Sequence, residues 1–169
     1  MVFLRVIAVV FFVFFLNIYT AYSTQEDTPL TASVNVNSIF KISIQDSFLD
    51  FGSVDPGEIS TKKDINLSCV TNNNKDWSVS IYAQSPLAYE EYEIPLSNFK
   101  WEASVLNGSG QVSTSGNIGL TPVNFYVAGI DDYITETPVE LALSMHIDVP
   151  AGQVAGRYRT ILVVTMHEE

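Results

Sequence analysis

Alternation of apolar and polar residues is the strongest pattern in this chain, and it is most regular near the C-terminus. Every second residue from 139 to 149 is apolar, which gives the set Val139, Leu141, Leu143, Met145, Ile147 and Val149. Because successive side chains of a strand point to opposite faces, this pattern predicts a strand with one buried face. Residues 150–156 interrupt it with Pro and Gly, and residues 158–166 predict a strand that runs back. The connector is long for a tight hairpin, so the two strands either pair or lie in facing sheets.

The same alternation recurs along most of the chain. It predicts further strands over residues 32–44, 48–52, 62–71, 77–84, 99–105 and 123–127. Residues 32–44 keep one register for thirteen positions, which predicts one long strand or two collinear strands broken near Ser38. Turn residues such as Asp55-Pro56-Gly57 separate the strands. Three stretches are predicted as loops: 85–98, which is irregular, acidic and aromatic; 107–119, which lacks an apolar face and is either a flexible loop or an irregular hairpin; and 130–137.

These elements predict an all-β fold, because no segment shows a helical period. Many short strands at regular spacing are typical of a single immunoglobulin-like antiparallel β-sandwich, here of about eight strands with Greek-key connections. A closed barrel is the alternative. The two longest apolar faces belong to residues 34–44 and 139–149, and we expect both strands at the centre of the core.

The first 23 residues predict a signal peptide, so the folded domain spans residues 24–169. Arg5 precedes an apolar run over Val6–Leu16, and Ala21 and Ser23 are the small residues expected before a cleavage site. A membrane-spanning helix needs about 20 apolar residues, and this run is shorter. We therefore expect a secreted or extracytoplasmic protein, in the periplasm or at the cell surface, that meets the membrane only through its signal peptide. An uncleaved N-terminal anchor is the alternative.

Charge and cysteine content narrow the possible partners. The chain carries 19 acidic residues against 8 Lys and Arg, a formal net charge of −11. A charge of this sign argues against nucleic acid and anionic membranes as partners.

Cys69 is the single cysteine and shares its parity with Ile65 and Leu67, which predicts a buried, inert thiol. An intermolecular disulfide is the alternative role.

Three stretches carry a resemblance to known proteins: Leu49–Gly57 (LDFGSVDPG), Asn74–Val79 (NKDWSV) and Pro150–Met166, with Gly156-Arg157-Tyr158. Together they resemble bacterial exported β-sandwich surface proteins, such as fimbrial-subunit-like, spore-coat-protein-U-like and WxL-type domains. In these families a turn with Pro and Gly and a Gly-x-Tyr sequence open the last strand. The resemblance implies an exported sandwich. The chain lacks the disulfide pair and penultimate tyrosine of pilins and the second Trp-x-Leu motif of WxL domains, so the resemblance implies neither pilus assembly nor peptidoglycan binding.

Catalytic and cofactor chemistry finds little support in the residues. His146 lies on an outward position of its strand and His167 is placed in a terminal tail, and no serine has a nucleophile-elbow context. We nominate no catalytic residue, no cofactor and no zinc site. Asp131, Asp132 and Glu136 are weak candidates for a calcium site, since their oxygens are close in sequence but lack the spacing of a dedicated loop.

Two functions remain after these exclusions. The first is a non-enzymatic structural or adhesive protein of the cell surface that pairs with other copies of itself or with surface proteins. The strand predicted over 32–44, next to a polar lead, would then add to the sheet edge of another subunit. The second is a small carbohydrate-binding module that stacks sugar rings on loop tyrosines, for which Tyr89, Tyr92 and Tyr133 are the candidates. Tyr82 and Tyr126 lie on outward positions of their strands.

Overall fold

A computed structural model describes residues 30–134 and 137–169. The predicted signal peptide, residues 1–23, and Glu136 of the predicted calcium site lie outside these ranges. The chain divides into two units, Met1–Val36 and Asn37–Glu169. In the first unit the described residues, 30–36, are exposed and form no strand. Within the described ranges, no helix is both long enough and apolar enough to cross a membrane.

The described part of the second unit consists of strands and two short 3₁₀ helices. The strands are β1 (Phe40–Ile44), β2 (Lys63–Thr71), β3 (Trp77–Ala83), β4 (Leu87–Tyr89), β5 (Tyr92–Ile94), β6 (Phe99–Asn107), β7 (Gln111–Val112), β8 (Ser115–Asn117), β9 (Val123–Val127), β10 (Val139–Ile147) and β11 (Leu162–Glu168). The 3₁₀ helices are Leu96–Asn98 and Ile130–Asp132.

Two antiparallel sheets enclose the core. The first has the order β1-β2-β10-β6-β8 and the second the order β11-β3-β9-β7, while β4 and β5 form a separate hairpin. The rings of Trp101 on β6 and Phe125 on β9 meet between the sheets with centroids 5.9 Å apart. The prediction of an all-β sandwich is confirmed; the immunoglobulin-like Greek-key connectivity stays a prediction. β10 and β11 lie in different sheets, which decides between the two arrangements that the sequence left open.

β10 is the centre of the first sheet, as its pattern predicted. It pairs with β2 on one side and β6 on the other, so Leu143 lies between Ile65 and Ala103. Its residues alternate strictly between buried and half-buried, and Leu141, Leu143 and Met145 have no exposed surface. Because neighbouring strands satisfy its backbone on both sides, the apolar face can be buried at no cost in unpaired polar groups.

The prediction of a long, central N-terminal strand is wrong. Only the last five of residues 32–44 form a strand, and this strand, β1, lies at the edge of its sheet with β2 as its partner. The side chains of Val34 and Val36 are 85% and 81% exposed. Alternation makes a segment suitable for a sheet, but a strand also needs a neighbouring strand that supplies hydrogen bonds.

Three shorter predictions also need correction. Residues 48–52 form no strand, although Phe51 still packs edge-on against Phe99 with ring centroids 5.5 Å apart. The predicted loop 85–98 contains the β4–β5 hairpin, whose Leu87 and Ile94 are buried. The predicted loop 107–119 contains β7 and β8, which pair with β9 and β6 respectively. These strands are two or three residues long, too short for periodicity to reveal.

Candidate functional site

One side of the sandwich is closed by the chain itself. β7 ends the second sheet and β8 ends the first, and only residues 113–114 separate them in sequence. The N–H of Ser113 donates to Phe125 O at 2.8 Å, and Thr114 O accepts from Ala103 N at 3.0 Å. The connection therefore bonds to both sheets and covers the core along this side.

The opposite side of the sandwich is open. Its two edge strands are β1 and β11, and among the described residues each is paired with one strand, β2 and β3 respectively. Some Cα atoms of β1 and β11 lie within 8 Å of each other, but no ladder joins the two strands. Of the apolar residues that β1 and β11 turn toward the core, Phe40, Ile42, Leu162 and Val164 are only half-buried, whereas Met166 is buried. We call this side the open seam.

The described residues before β1 carry an exposed apolar stripe. Leu30, Ala32, Val34 and Val36 occupy alternate positions, and the three large side chains among them are 94%, 85% and 81% exposed. We call residues 30–36 the N-terminal segment. Exposure of every large apolar side chain along an alternating segment is unfavourable in water unless another surface covers it.

A turn at one end of the open seam binds residues 37–39, which connect this segment to β1. Asn72 donates its backbone N–H to Ile39 O at 3.1 Å, its Oδ1 accepts from Ile39 N at 2.6 Å, and its Nδ2 donates to Asn37 O at 2.9 Å. The Oδ1 atom of Asn73 accepts from Ser38 Oγ at 2.5 Å, and its Nδ2 donates to Glu168 Oε1 at the end of β11. We call these two side chains the asparagine clamp.

The asparagine clamp also affects the pKa of a carboxyl group at the end of β11. Hydrogen bonds from Asn73 and from Lys75, whose Nζ is 3.0 Å from Oε2, lower the pKa of the Glu168 carboxyl. The alternation pattern leaves residues 72–76 between two predicted strands but gives no sign of these contacts, because they join residues 93 to 95 positions apart.

A buried carboxylate organises the loops at the same end of the second sheet. Asp132 is 4% exposed and accepts hydrogen bonds from Tyr126 Oη at 2.5 Å, Ser109 N at 3.0 Å and Gly129 N at 3.1 Å. Burial by itself raises the pKa of Asp132, but these hydrogen bonds outweigh it and the pKa is lowered. Burial and the negative charge of Asp132 raise the pKa of Tyr126. The carboxylate thus fixes the 107–110 loop against the Ile130–Asp132 helix.

Tyr126 corrects another prediction. The sequence placed it on an outward position of its strand, yet it is fully buried next to Phe125. The pairing of β9 with β3 shifts register between Val79 and Ser80, so two successive residues of β9 turn inward. A bulge of this kind leaves no reliable mark in the alternation pattern.

The calcium candidates are placed differently from one another. Asp131 is exposed, Asp132 is buried and already bonded to three donors, and Glu136 is not among the described residues. In the described ranges, no three His, Cys, Asp or Glu side chains are grouped so that they could hold a metal ion. The calcium site stays a prediction.

The candidate glycan-binding tyrosines fall into two groups. Tyr89 and Tyr92 face each other across the β4–β5 hairpin, and Tyr92 is 38% exposed. The ring of Tyr89 packs against Tyr158 with centroids 5.9 Å apart, and its edge lies so close to Gly156 that a Cβ there would overlap the ring. Tyr133 lies elsewhere, half-buried, and a hydrogen bond to Asp76 raises its pKa. The structure therefore brings two of the three together.

The histidines and the cysteine form no accessible reactive group. His167 is part of β11 rather than a terminal tail, and its Nε2 is 2.6 Å from Ser80 Oγ, but Ser80 is fully buried. His146 lies 3.6 Å from Asp148, which Lys100 also contacts. Cys69 is fully buried and free, as predicted, and burial followed by the charge of Glu140 raises its pKa to about 12. The Ser80–His167 contact is a structural bond between two strands.

Comparison with known proteins gives no family for this chain. No protein-family model matches it, and no curated protein matches it significantly.

Proposed function

We propose that this chain is a non-enzymatic, exported structural protein whose copies associate by β-strand pairing, with the N-terminal segment of one copy added to the open seam of another. The observation that supports this most directly is the exposed stripe of Leu30, Val34 and Val36, which has the period of a strand but pairs with no strand of the described ranges. Export rests on the signal peptide predicted over residues 1–23.

The dimensions of the two surfaces agree. The N-terminal segment has seven residues, which span about 23 Å when extended at roughly 3.3 Å per residue. β11 also has seven residues. A strand added beside β11 would place Val34 and Val36 next to the half-buried Leu162 and Val164. It would also supply hydrogen-bond partners to the outer backbone groups of β11.

The edge of β11 also lacks the usual protection against such pairing. Edge strands are commonly blunted by lysine, proline or inward-pointing charges. The sequence of β11 is LVVTMHE, so its only acidic or basic residue apart from His167 is Glu168 at its end. An uncharged edge next to a half-open core favours addition of an apolar strand.

Replacing Val34 with aspartate tests this proposal. A charge on the apolar face of the added strand would be buried without a partner, so we expect association to weaken at least tenfold. Light scattering after size-exclusion chromatography of the full chain, expressed from Met1, measures the change. Mass spectrometry of the same sample identifies the N-terminus and tests cleavage after Ser23.

Val127→Asp is the matched control. Val127 is 51% exposed on β9, an inner strand of the second sheet that is paired with β3 and β7 rather than lying at the open seam. We expect this variant to associate like the wild type. A wild-type chain that stays monomeric at high concentration, or equal association of Val34→Asp and wild type, would contradict the proposal.

A glycan-binding module is the second candidate, and the pairing of Tyr89 with Tyr92 favours the β4–β5 hairpin as its site. If this function is correct, Tyr92→Ala is expected to abolish binding on a glycan array, because stacking on the exposed ring supplies much of the contact. Tyr82→Ala, on β3 of the second sheet, is the control and should bind as the wild type does. An array on which the wild type binds no glycan argues against this candidate.

A further inference from the structure

We propose that the asparagine clamp directs the N-terminal segment to a second copy and away from the open seam of its own chain. This inference rests on the proposed function, since it concerns which seam the segment fills. It assigns Asn72 and Asn73 as positioning residues, which act through residues 37–39 rather than by contact with the added strand.

The first step is where the segment begins. Asn73 forms hydrogen bonds with both Ser38 and Glu168. The connection between the N-terminal segment and β1 therefore lies at the end of β11, where the open seam also ends. β1 then runs from Phe40 away from this point, and β11 runs toward it.

The second step is what filling its own seam would require. The segment would have to run beside β1 in the antiparallel direction, as a hairpin whose turn consists of residues 37–39. Tight hairpins depend on residues that adopt a positive φ, above all Gly and Asn-Gly pairs. Residues 37–39 are Asn-Ser-Ile, which contains neither a Gly nor an Asn-Gly pair.

The third step is what the asparagine clamp does to those residues. Asn72 accepts from Ile39 N and donates to both Ile39 O and Asn37 O, so its backbone and side chain together replace a neighbouring strand. Asn73 adds the bond from Ser38 Oγ. These four hydrogen bonds fix residues 37–39 against the turn at Asn72 and Asn73, and a hairpin turn at residues 37–39 would break them. A hairpin back into the open seam of the same chain is therefore disfavoured, which leaves the open seam of a second copy for the segment to fill.

Cysteine cross-linking distinguishes the two ways of filling the seam. The double variant Val34→Cys/Val164→Cys places one thiol on the segment and one in the open seam of the same full chain. Cys69 does not interfere, because its thiol is fully buried. A short bis-maleimide then links the thiols either between copies, which gives a ladder on a denaturing gel, or within one copy, which gives a loop-linked monomer identified by mass spectrometry.

With the asparagine clamp intact we expect links between copies. Adding Asn72→Ala and Asn73→Ala is expected to lower the ratio of intermolecular to intramolecular links at least tenfold. Asn74→Gly is the control, since it alters the same turn at a residue with φ of 53° and leaves both clamp side chains in place, so its ladder should match the wild type. A clamp with a merely structural role would lower the melting temperature of the variant without changing the ratio.

Two results would overturn the inference: intramolecular links that already dominate with the asparagine clamp intact, or an unchanged ratio in the folded Asn72→Ala/Asn73→Ala variant. If that variant does not fold, Ser38→Ala removes one clamp bond without altering the turn, and an unchanged ratio there has the same meaning. Failure of the proposed function is separate, because it shows as loss of association in the wild type or as equal association of Val34→Asp and wild type.

Discussion

Replacing Leu143 with alanine is expected to lower the free energy of unfolding by about 2–5 kcal/mol. Leu143 is fully buried at the centre of β10, with Ile65 and Ala103 beside it on the two neighbouring strands. Truncation removes apolar contacts on both sides and leaves a cavity that flanking strands held by backbone hydrogen bonds cannot close. Small domains are stable by only about 5–15 kcal/mol, so the loss would unfold part of the population under mild conditions.

Urea unfolding followed by circular dichroism measures this effect. Ser144→Ala is the matched control, because Ser144 is the next residue of β10 and lies half-buried on the opposite face. Its midpoint should stay close to that of the wild type. Equal midpoints for Leu143→Ala and Ser144→Ala would show that the inward face of β10 is assigned incorrectly.

Replacing Asp132 with asparagine is expected to lower the free energy of unfolding by about 1.5–3 kcal/mol, the range for hydrogen bonds that involve a charged group. The carboxylate accepts from two backbone N–H groups, those of Ser109 and Gly129, and from the buried hydroxyl of Tyr126. An amide keeps one acceptor oxygen, but its NH₂ group faces donors, so at least one of them loses its partner. We expect the 107–110 loop to loosen first, and hydrogen exchange at Ser109 N should report this.

The effect of Asp132 should also depend on pH. Its pKa is lowered in the folded state, below the ordinary value of 3.8. A carboxyl of this kind contributes its full stability above the unfolded pKa, and the contribution is lost as the pH falls toward the folded pKa. The difference in melting temperature between wild type and Asp132→Asn should therefore shrink between about pH 5 and pH 2. Asp131→Asn, at the exposed neighbour, is the control, and a difference that stays constant over this range would contradict the role of the carboxylate.

The open seam and the loops around Asp132 differ in how far their contacts are completed within one chain. Along the seam, β1 and β11 leave apolar side chains half-buried, and an added strand would complete both the hydrogen bonding and the core. The loops around Asp132 are already satisfied by contacts within the described part of the chain. Association is therefore expected at the edge of the sandwich, while the Asp132 network maintains its fold.

The sequence alone determined the strands that are paired on both sides. Period-two alternation over residues 139–149, 62–71 and 77–84 placed β10, β2 and β3, and it assigned Cys69 to the core, where the structure finds it. The prediction succeeds there because one face of each strand packs against the opposite sheet. Every second side chain is buried, and the local sequence shows this as an apolar residue at every second position.

Only the tertiary structure decided which alternating segments find a partner. Residues 32–39 alternate as well as β2 does, yet they form no strand, because pairing depends on residues distant in sequence. A register shift opposite β3 turned Tyr126 inward, and the contacts of Asp132 with Ser109 and of Asn73 with Ser38 and Glu168 join loops that the pattern cannot relate. Alternation records which face of a segment is apolar, whereas the neighbour that covers this face is fixed by the packing of the whole chain.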